Sequence, residues 1–222
     1  MHEPFAQEDA ALVFTGEQYL FRWKQGEATH AKFVSPAAVR AAFSNVPIDS
    51  GWMPPEGRRW GTGPNGAWTI MHIPPMRHAL TLTGIVEGEP QTTRTIPLPG
   101  LVFVHFSLTG YVWALRGDFS PEALLYHAPL PNVGSGGAIC FGSNRTEGLT
   151  AAQTWQLFLT SPFNDHSTDG KSRQQPDDVR LLLMSLVRRR RYPVDDLAQL
   201  NPPSTVNQIA DALNRPKHHE GE

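Results

Sequence analysis

Several features that direct a protein to particular compartments or chemistries are missing from this 222-residue sequence. It has one cysteine, Cys140, so an internal disulfide is excluded. No uncharged apolar run approaches the ~20 residues that a membrane-spanning helix needs. The first nine residues are acidic and lack the apolar centre of a secretory signal peptide. We therefore expect a soluble cytoplasmic protein without a membrane partner.

Neither charge sign dominates, and the common cofactor and nucleophile motifs are absent. The chain has 19 basic and 21 acidic residues and a net charge of -2, so a broad nucleic-acid-binding surface is not expected. It contains no Walker loop, HExxH, GxSxG or CxxC pattern. The neighbouring His218 and His219 are too few for a metal site. We expect no metal and no cofactor.

Strand patterns fill the first two thirds of the chain. Apolar, β-branched and aromatic runs predict strands at 10–14, 18–23, 29–34, 67–73, 79–85, 101–108 and 111–115, with an extended stretch at 123–126. Leu101 to Val104 are all apolar, which predicts a central strand covered on both faces. Thr109-Gly110 is predicted as the turn of the clearest hairpin. Residues 45–66, with four prolines and five glycines, predict a loop that carries Trp52 and Trp60 inward.

Helix signals are short and lie mostly near the C-terminus. Ser35-Pro36 predicts a helix start before residues 37–43, Thr150 caps a second helix, and Asp177-Asp178 opens a third. A last helix is predicted at 205–213, and polar residues 167–175 predict a flexible loop. Arg188 to Arg191 close the third helix, either as a solvated helix end or as a docking patch for an acidic partner.

These elements predict an α+β fold: an antiparallel β-meander with flanking helices, extended by an N-terminal hairpin and a short helix. We expect a single domain over residues 1–222 with its core at about 67–200. Residues 1–66 are interpreted as a β/α extension packed on that core. Residues 215–222 are interpreted as a disordered tail.

The most informative stretch is residues 130–141, Leu-Pro-Asn-Val-Gly-Ser-Gly-Gly-Ala-Ile-Cys-Phe, which places Asn132 eight residues before Cys140. A lone cysteine is often a buried small hydrophobe. Here the glycines at 134, 136 and 137 predict a sharp turn that exposes backbone N–H groups near the sulfur and favours the thiolate. The Asn132 amide is a donor suited to stabilising an oxyanion. This pair predicts acyl carriage and transfer.

The segment resembles the active site of ubiquitin-conjugating enzymes, whose pattern is His-Pro-Asn, four residues, Gly, one residue, Ile-Cys-Leu. Matching positions at identical spacing are Pro131, Asn132, Gly137, Ile139 and Cys140. Residues 154–165 are similar to the family's next helix and its Ser-Pro-Asn-Pro-Asp turn. The first 60 residues have no counterpart.

Differences from the pattern indicate which branch of the family the segment resembles. Leu130 stands where the family has a histidine that stabilises the turn, a role for which His127 is the alternative candidate here. Phe141 replaces the leucine after the cysteine. The resemblance implies an acidic residue that orients the incoming amine, for which Asp165 is the candidate and His166 the next. Such departures are typical of divergent bacterial relatives, specifically the PRTRC protein B family, also known as prokaryotic conjugating-enzyme family D.

The resemblance implies a ubiquitin-like-protein conjugating enzyme in which Cys140 carries the thioester, Asn132 holds the oxyanion and Asp165 assists the amine. It also implies three partner proteins: a ThiF-like activating enzyme, a small ubiquitin-like protein and a JAB-type metallopeptidase.

Two alternatives remain open. A catalytically weak or inactive adaptor with the same fold would bind the ubiquitin-like protein or the activating enzyme. A cysteine hydrolase would need a histidine in hydrogen-bond reach of Cys140, and the candidates are His105, His127 and His166.

Overall fold

The computed structural model describes residues 10–15, 18–44, 48–54, 57–63 and 66–215. The chain divides into two compact units, Met1–Pro47 and Ile48–Glu222. Beyond residue 215, the predicted disordered tail lies outside the described residues. Within the described ranges, no helix is long and apolar enough to cross a membrane. The predicted single domain, with residues 1–66 packed on a core, stays a prediction.

The first unit consists of an antiparallel three-stranded sheet and one helix. Its elements are Ala10–Thr15 (β1), Gln18–Gln25 (β2), Ala28–Val34 (β3) and Pro36–Ser44 (α1), with the strands in the order β1-β2-β3. The Ser35 hydroxyl accepts a hydrogen bond from the Ala38 N–H at 3.1 Å. The predicted hairpin, third strand and serine-capped helix are confirmed.

In the second unit, antiparallel pairing builds one large sheet and a separate long hairpin. The described strands are Ile48–Asp49 (β4), Arg58–Gly63 (β5), Gly66–Ile73 (β6), Met76–Val86 (β7), Glu89–Leu98 (β8), Gly100–Phe106 (β9), Thr109–Leu115 (β10) and Leu125–His127 (β11). The sheet order is β11-β10-β9-β6-β5-β4, and β7 pairs with β8. The predicted α+β class with antiparallel sheets is confirmed.

The loop predicted at 45–66 is wrong, because β4 and β5 extend the large sheet there. Trp60 does not point inward, since 45% of its surface is exposed. Trp52 is half-buried against the core, and its indole N–H donates to Asn207 Oδ1 at 3.0 Å. Strand β8 was not predicted.

Strand β9 lies in the middle of the large sheet and is buried on both faces. Leu101 and Phe103 belong to one apolar cluster, while Val102 and Val104 belong to another. Successive side chains of a strand point to opposite faces, so the sheet separates two layers of core. The predicted central strand is confirmed. Its hairpin turns at Ser107 and Leu108 rather than at Thr109-Gly110.

Short helices cover the two faces of the sheet. They are Ala151–Thr160 (α2), Val179–Ser185 (α3) and Val206–Asn214 (α4), with a 3-10 turn at Val194–Asp196. Apolar residues of α2 and α3 belong to the same core cluster as Leu101 and Phe103. Those of α4 belong to the cluster that contains Val102 and Val104. Thr150 and Gln153 form a capping box at the start of α2, as the predicted cap requires.

Candidate active site

The segment that carries Cys140 is bound along strand β10. The Ile139 N–H donates to the Gly110 carbonyl, and the Val112 N–H donates to the Gly137 carbonyl, both at 2.8 Å. Ile139 is buried in the core, whereas the next residue, Cys140, is exposed. The cysteine is therefore not a buried hydrophobe. The sheet holds its backbone while its sulfur faces solvent.

Asn132 lies directly beside Cys140. The Cys140 N–H donates to the Asn132 carbonyl at 2.8 Å, and the Asn132 N–H donates to the His166 carbonyl at 2.8 Å. Asn132 has a φ of 58°, a left-handed conformation that asparagine tolerates better than most residues. The turn thus brings together the two residues that the sequence paired across eight positions.

The side chain of Asn132 is anchored through one of its two amide hydrogens. Its Nδ2 donates to the Pro162 carbonyl at 3.1 Å. Phe163, the next residue, is bound to β7 by backbone hydrogen bonds to Thr81 and Thr83. An amide nitrogen has two N–H groups, so one more donor remains at Asn132. The anchor fixes the position of the Asn132 amide at the groove before any substrate arrives.

A groove of about 200 Å³ opens at this pair. It is lined by Asn132, Cys140, Phe141, Gly142, Ser143, Asn144, Ser161, Pro162, Asn164 and His166. Asp165 lies between two lining residues in sequence but is not itself among the lining residues that the structure describes. It is exposed, and its charge adds to the larger effect of the Asp178 hydrogen bond in raising the pKa of Arg180.

None of the three candidate histidines, His105, His127 and His166, is paired with the cysteine. Within the described ranges, no histidine side chain is hydrogen-bonded to Cys140 Sγ. His166 lines the groove, while His105 and His127 lie on β9 and β11 outside its lining. Burial, followed by the charge of Lys171, lowers the pKa of His127. A cysteine–histidine hydrolase is not supported by this arrangement.

Lys171 supports the turn from beneath and was not identified from the sequence. Only 3% of its surface is exposed. Its ammonium donates to the Leu130 carbonyl at 2.7 Å and to the Val133 carbonyl. These two carbonyls bracket Pro131 and Asn132. Burial lowers the pKa of Lys171 to about 8, and the opposing charge of Asp169 is a smaller influence.

The segment around Lys171 is held in turn by the buried carboxylate of Asp196. Asp196 accepts hydrogen bonds from the Ser172 hydroxyl at 3.0 Å, the Gln174 N–H at 2.7 Å and the Tyr192 hydroxyl at 3.1 Å. Residues 167–175 are therefore irregular, as predicted, but they are tied to the core rather than being a flexible loop. A polar sequence without periodicity carries no signal of this burial.

Among the three glycines of the motif, Gly137 lies closest to another side chain, the ring of Trp113. Its φ is 86°, and a Cβ there would lie 2.5 Å from the Trp113 ring. The predicted exposure of glycine N–H groups near the sulfur is wrong at two positions. The Gly134 N–H donates to the Ala138 carbonyl and the Gly137 N–H to the Gly134 carbonyl. These glycines shape the turn instead of surrounding the thiol with donors.

Comparison with known proteins gives one result. The model of prokaryotic E2 family D matches residues 30–200, which is more than half of the chain. No curated protein and no solved structure matches at a significant level.

Substituting Gly137 with alanine tests the shape of the motif. We expect Gly137→Ala to lower the free energy of unfolding by roughly 2–4 kcal/mol, because the left-handed backbone is strained and Trp113 must shift. Gly136→Ala is the matched control, since an added Cβ meets no heavy atom within 4 Å there. Urea unfolding of both variants measures the difference, and equal stabilities would contradict this account.

Substituting Lys171 with methionine tests the support beneath the turn. The variant keeps the apolar stem but removes both donors, so the Leu130 and Val133 carbonyls lose a partner. We expect a loss of about 1–3 kcal/mol in the free energy of unfolding near neutral pH. Urea unfolding measures it, and a stabilised variant would show that the turn does not need these hydrogen bonds.

The same variant has a predicted pH dependence. The pKa of Lys171 is about 8 in the folded chain against an ordinary value of 10.5. Between those values the unfolded chain binds the additional proton, so the contribution of Lys171 to stability rises with pH. We expect the stability advantage of the wild type over Lys171→Met to grow from about pH 8 to about pH 10.5. A difference that falls over this range would contradict the lowered pKa.

Proposed function

The chain belongs to prokaryotic E2 family D, a family of conjugating-enzyme-like proteins, and we propose that it carries a ubiquitin-like protein as a thioester on Cys140 and transfers it to an amine. One observation carries the proposal. The exposed cysteine and the asparagine are joined by a 2.8 Å backbone hydrogen bond and line the same open groove.

The first step is an exchange of thioesters. The Cys140 thiolate attacks the carbonyl carbon that joins the ubiquitin-like protein to a cysteine of the activating enzyme. A new sulfur–carbon bond forms at Cys140, the old one breaks, and the cysteine of the activating enzyme leaves as a thiolate. Because a thiolate replaces a thiolate, this step needs no strong base within the groove.

The second step is attack by an amine on the new thioester. Negative charge then develops on the carbonyl oxygen, and the remaining N–H of the Asn132 side chain stabilises it. Cys140 leaves as a thiolate, and the amine loses a proton to form the amide. The Pro162 anchor holds the Asn132 amide in advance, so little reorganisation accompanies the charge development.

Asp165 is proposed as the group that orients the amine or takes its proton. It is exposed and adjoins Asn164 and His166, which line the groove. The proposed partners are a ThiF-like activating enzyme, a small ubiquitin-like protein and, as a further neighbour, a JAB-type metallopeptidase. The adaptor alternative shares these partners and differs in forming no thioester.

Thioester formation is tested with the purified protein, the activating enzyme, the ubiquitin-like protein and ATP. We expect a slower-migrating band on a non-reducing gel, which disappears with added thiol and is absent in Cys140→Ala. If the three proteins bind one another and no such band forms, the carrier proposal is wrong and the adaptor interpretation replaces it.

Discharge to an amine tests Asn132. We expect Asn132→Gly to be charged like the wild type but to discharge roughly a hundredfold more slowly, because one oxyanion donor is lost. Glycine accepts the left-handed backbone at this position, so strain is not added. Asn132→Ala shows the additional effect of strain. Unchanged discharge in the glycine variant would remove Asn132 from the mechanism.

Asp165 is tested with an uncharged replacement of the same shape. We expect Asp165→Asn to be charged normally and to discharge roughly a hundredfold more slowly, the lower end of the usual range for a general base. Asp177→Asn is the control, since it removes a charge from an exposed residue outside the groove lining. Equal discharge rates in the two variants would show that Asp165 does not take the proton of the amine, which would then pass to solvent.

A further inference from the structure

A second groove lies at the end of the β9–β10 hairpin that is farther from Cys140. It has a volume of about 590 Å³, and Gly100 and Leu115 in its lining are paired at one end of β9 and β10. The Cys140 segment binds Gly110, near the opposite end of β10. Leu115 follows Gly110 by five positions along the strand, which is a distance of about 17 Å. The two grooves are therefore distinct.

Positive charge is concentrated in this second groove. Arg77, Arg116, Arg190 and Arg191 line it together with one acidic residue, Asp118, although the whole chain has a net charge of -2. We call it the arginine groove. In the part of the chain that the structure describes, no carboxylate forms an ion pair with Arg116, Arg190 or Arg191. The Arg116 guanidinium lies over the Tyr126 ring, 4.8 Å from its centroid, and the charges of the exposed Arg190 and Arg191 are available to a ligand.

The prediction that Arg188 to Arg191 close the third helix is wrong, because α3 ends at Ser185 and the arginine run follows it as an anchored irregular segment. Arg77 on β7 donates to the Val187 carbonyl at 2.8 Å, to the Thr95 carbonyl at 2.5 Å and to the Arg189 carbonyl. One guanidinium thus ties the backbone of the run to the β7–β8 hairpin. This anchor fixes the backbone from which the side chains of Arg190 and Arg191 extend. Less conformational entropy is therefore lost when these side chains bind an anion.

The floor of the arginine groove is apolar. Pro97, Leu98 and Pro99 are buried there, and the exposed side chain of Met76 forms part of the rim. The aromatic residue in the lining, Tyr192, is buried and its hydroxyl donates to Asp196, so its ring does not offer a stacking surface for bases. A ligand with carboxylates and apolar side chains complements this surface better than a nucleic acid does.

We propose that the arginine groove binds an acidic polypeptide segment of a partner protein, with carboxylates on the arginines and apolar side chains on the proline floor. Guanidinium groups pair with carboxylates in a bidentate geometry, which supplies specificity as well as attraction. The interaction does not depend on thioester chemistry at Cys140, so it stands or fails separately from the conjugating function.

The test is a binding measurement on the full chain. A short fluorescein-labelled peptide of glutamates and leucines is titrated with the protein, and its fluorescence anisotropy is followed. We expect saturable binding that weakens with added salt. The double variant Arg190→Gln/Arg191→Gln should bind roughly tenfold more weakly, because two charged contacts are removed. A lysine–leucine peptide of the same length should not bind.

Arg22→Gln/Arg145→Gln is the matched control, since it removes the same charge from exposed arginines outside this groove. It should bind like the wild type. An equal loss in both double variants would mean that only net charge matters, and the proposal would be wrong. Absence of peptide binding would also overturn it. So would a labelled single-stranded DNA that binds as tightly through Arg190 and Arg191, because the groove would then be a nucleic-acid site.

Discussion

A buried ammonium group holds the candidate active site in its shape. Lys171 donates to the carbonyls of Leu130 and Val133, and so fixes both ends of the short stretch that contains Asn132. Burying a charge costs several kcal/mol unless polar groups compensate for the lost water. The two carbonyls provide that compensation, and they in turn would be unpaired without the lysine. The conformation of the turn and the position of the lysine therefore depend on each other.

The surrounding structure places this arrangement on rigid elements. Strand β10 holds the cysteine segment, while Phe163, which is hydrogen-bonded to β7, positions the Pro162 carbonyl that anchors Asn132. Asp196 fixes the segment around Lys171. The β9–β10 hairpin also separates two kinds of surface, with the groove lined by Cys140 and Asn132 at one end and the arginine groove at the other. Such a separation would allow the proposed thioester chemistry and the proposed binding of an acidic segment to act on different parts of a partner.

Local patterns predicted most of the strands and helices, and the misses have physical reasons. Strand β8 contains two prolines and a run of polar residues, which are unfavourable in a central strand but tolerated at an edge. Strand β5 contains two glycines, and one of them, Gly61, lies against the Trp68 ring, where a side chain would collide. The hairpin turn was misplaced because Gly110 is needed inside the strand, where Phe103, Ile139 and Phe141 approach it closely.

Features that depend only on residues close in sequence could be predicted: the cap at Thr150, the helix start at Asp177-Asp178, the apolar strand at Leu101 to Val104, and the spacing of Asn132 and Cys140. Three features arise only when the chain folds: the role of Lys171, the anchoring of Asn132 by Pro162 and the anchoring of the arginine run by Arg77. Each of these depends on carbonyl groups that folding brings from distant parts of the chain. A lysine within a polar stretch is ordinarily solvated, and its burial follows from partners that no local pattern contains.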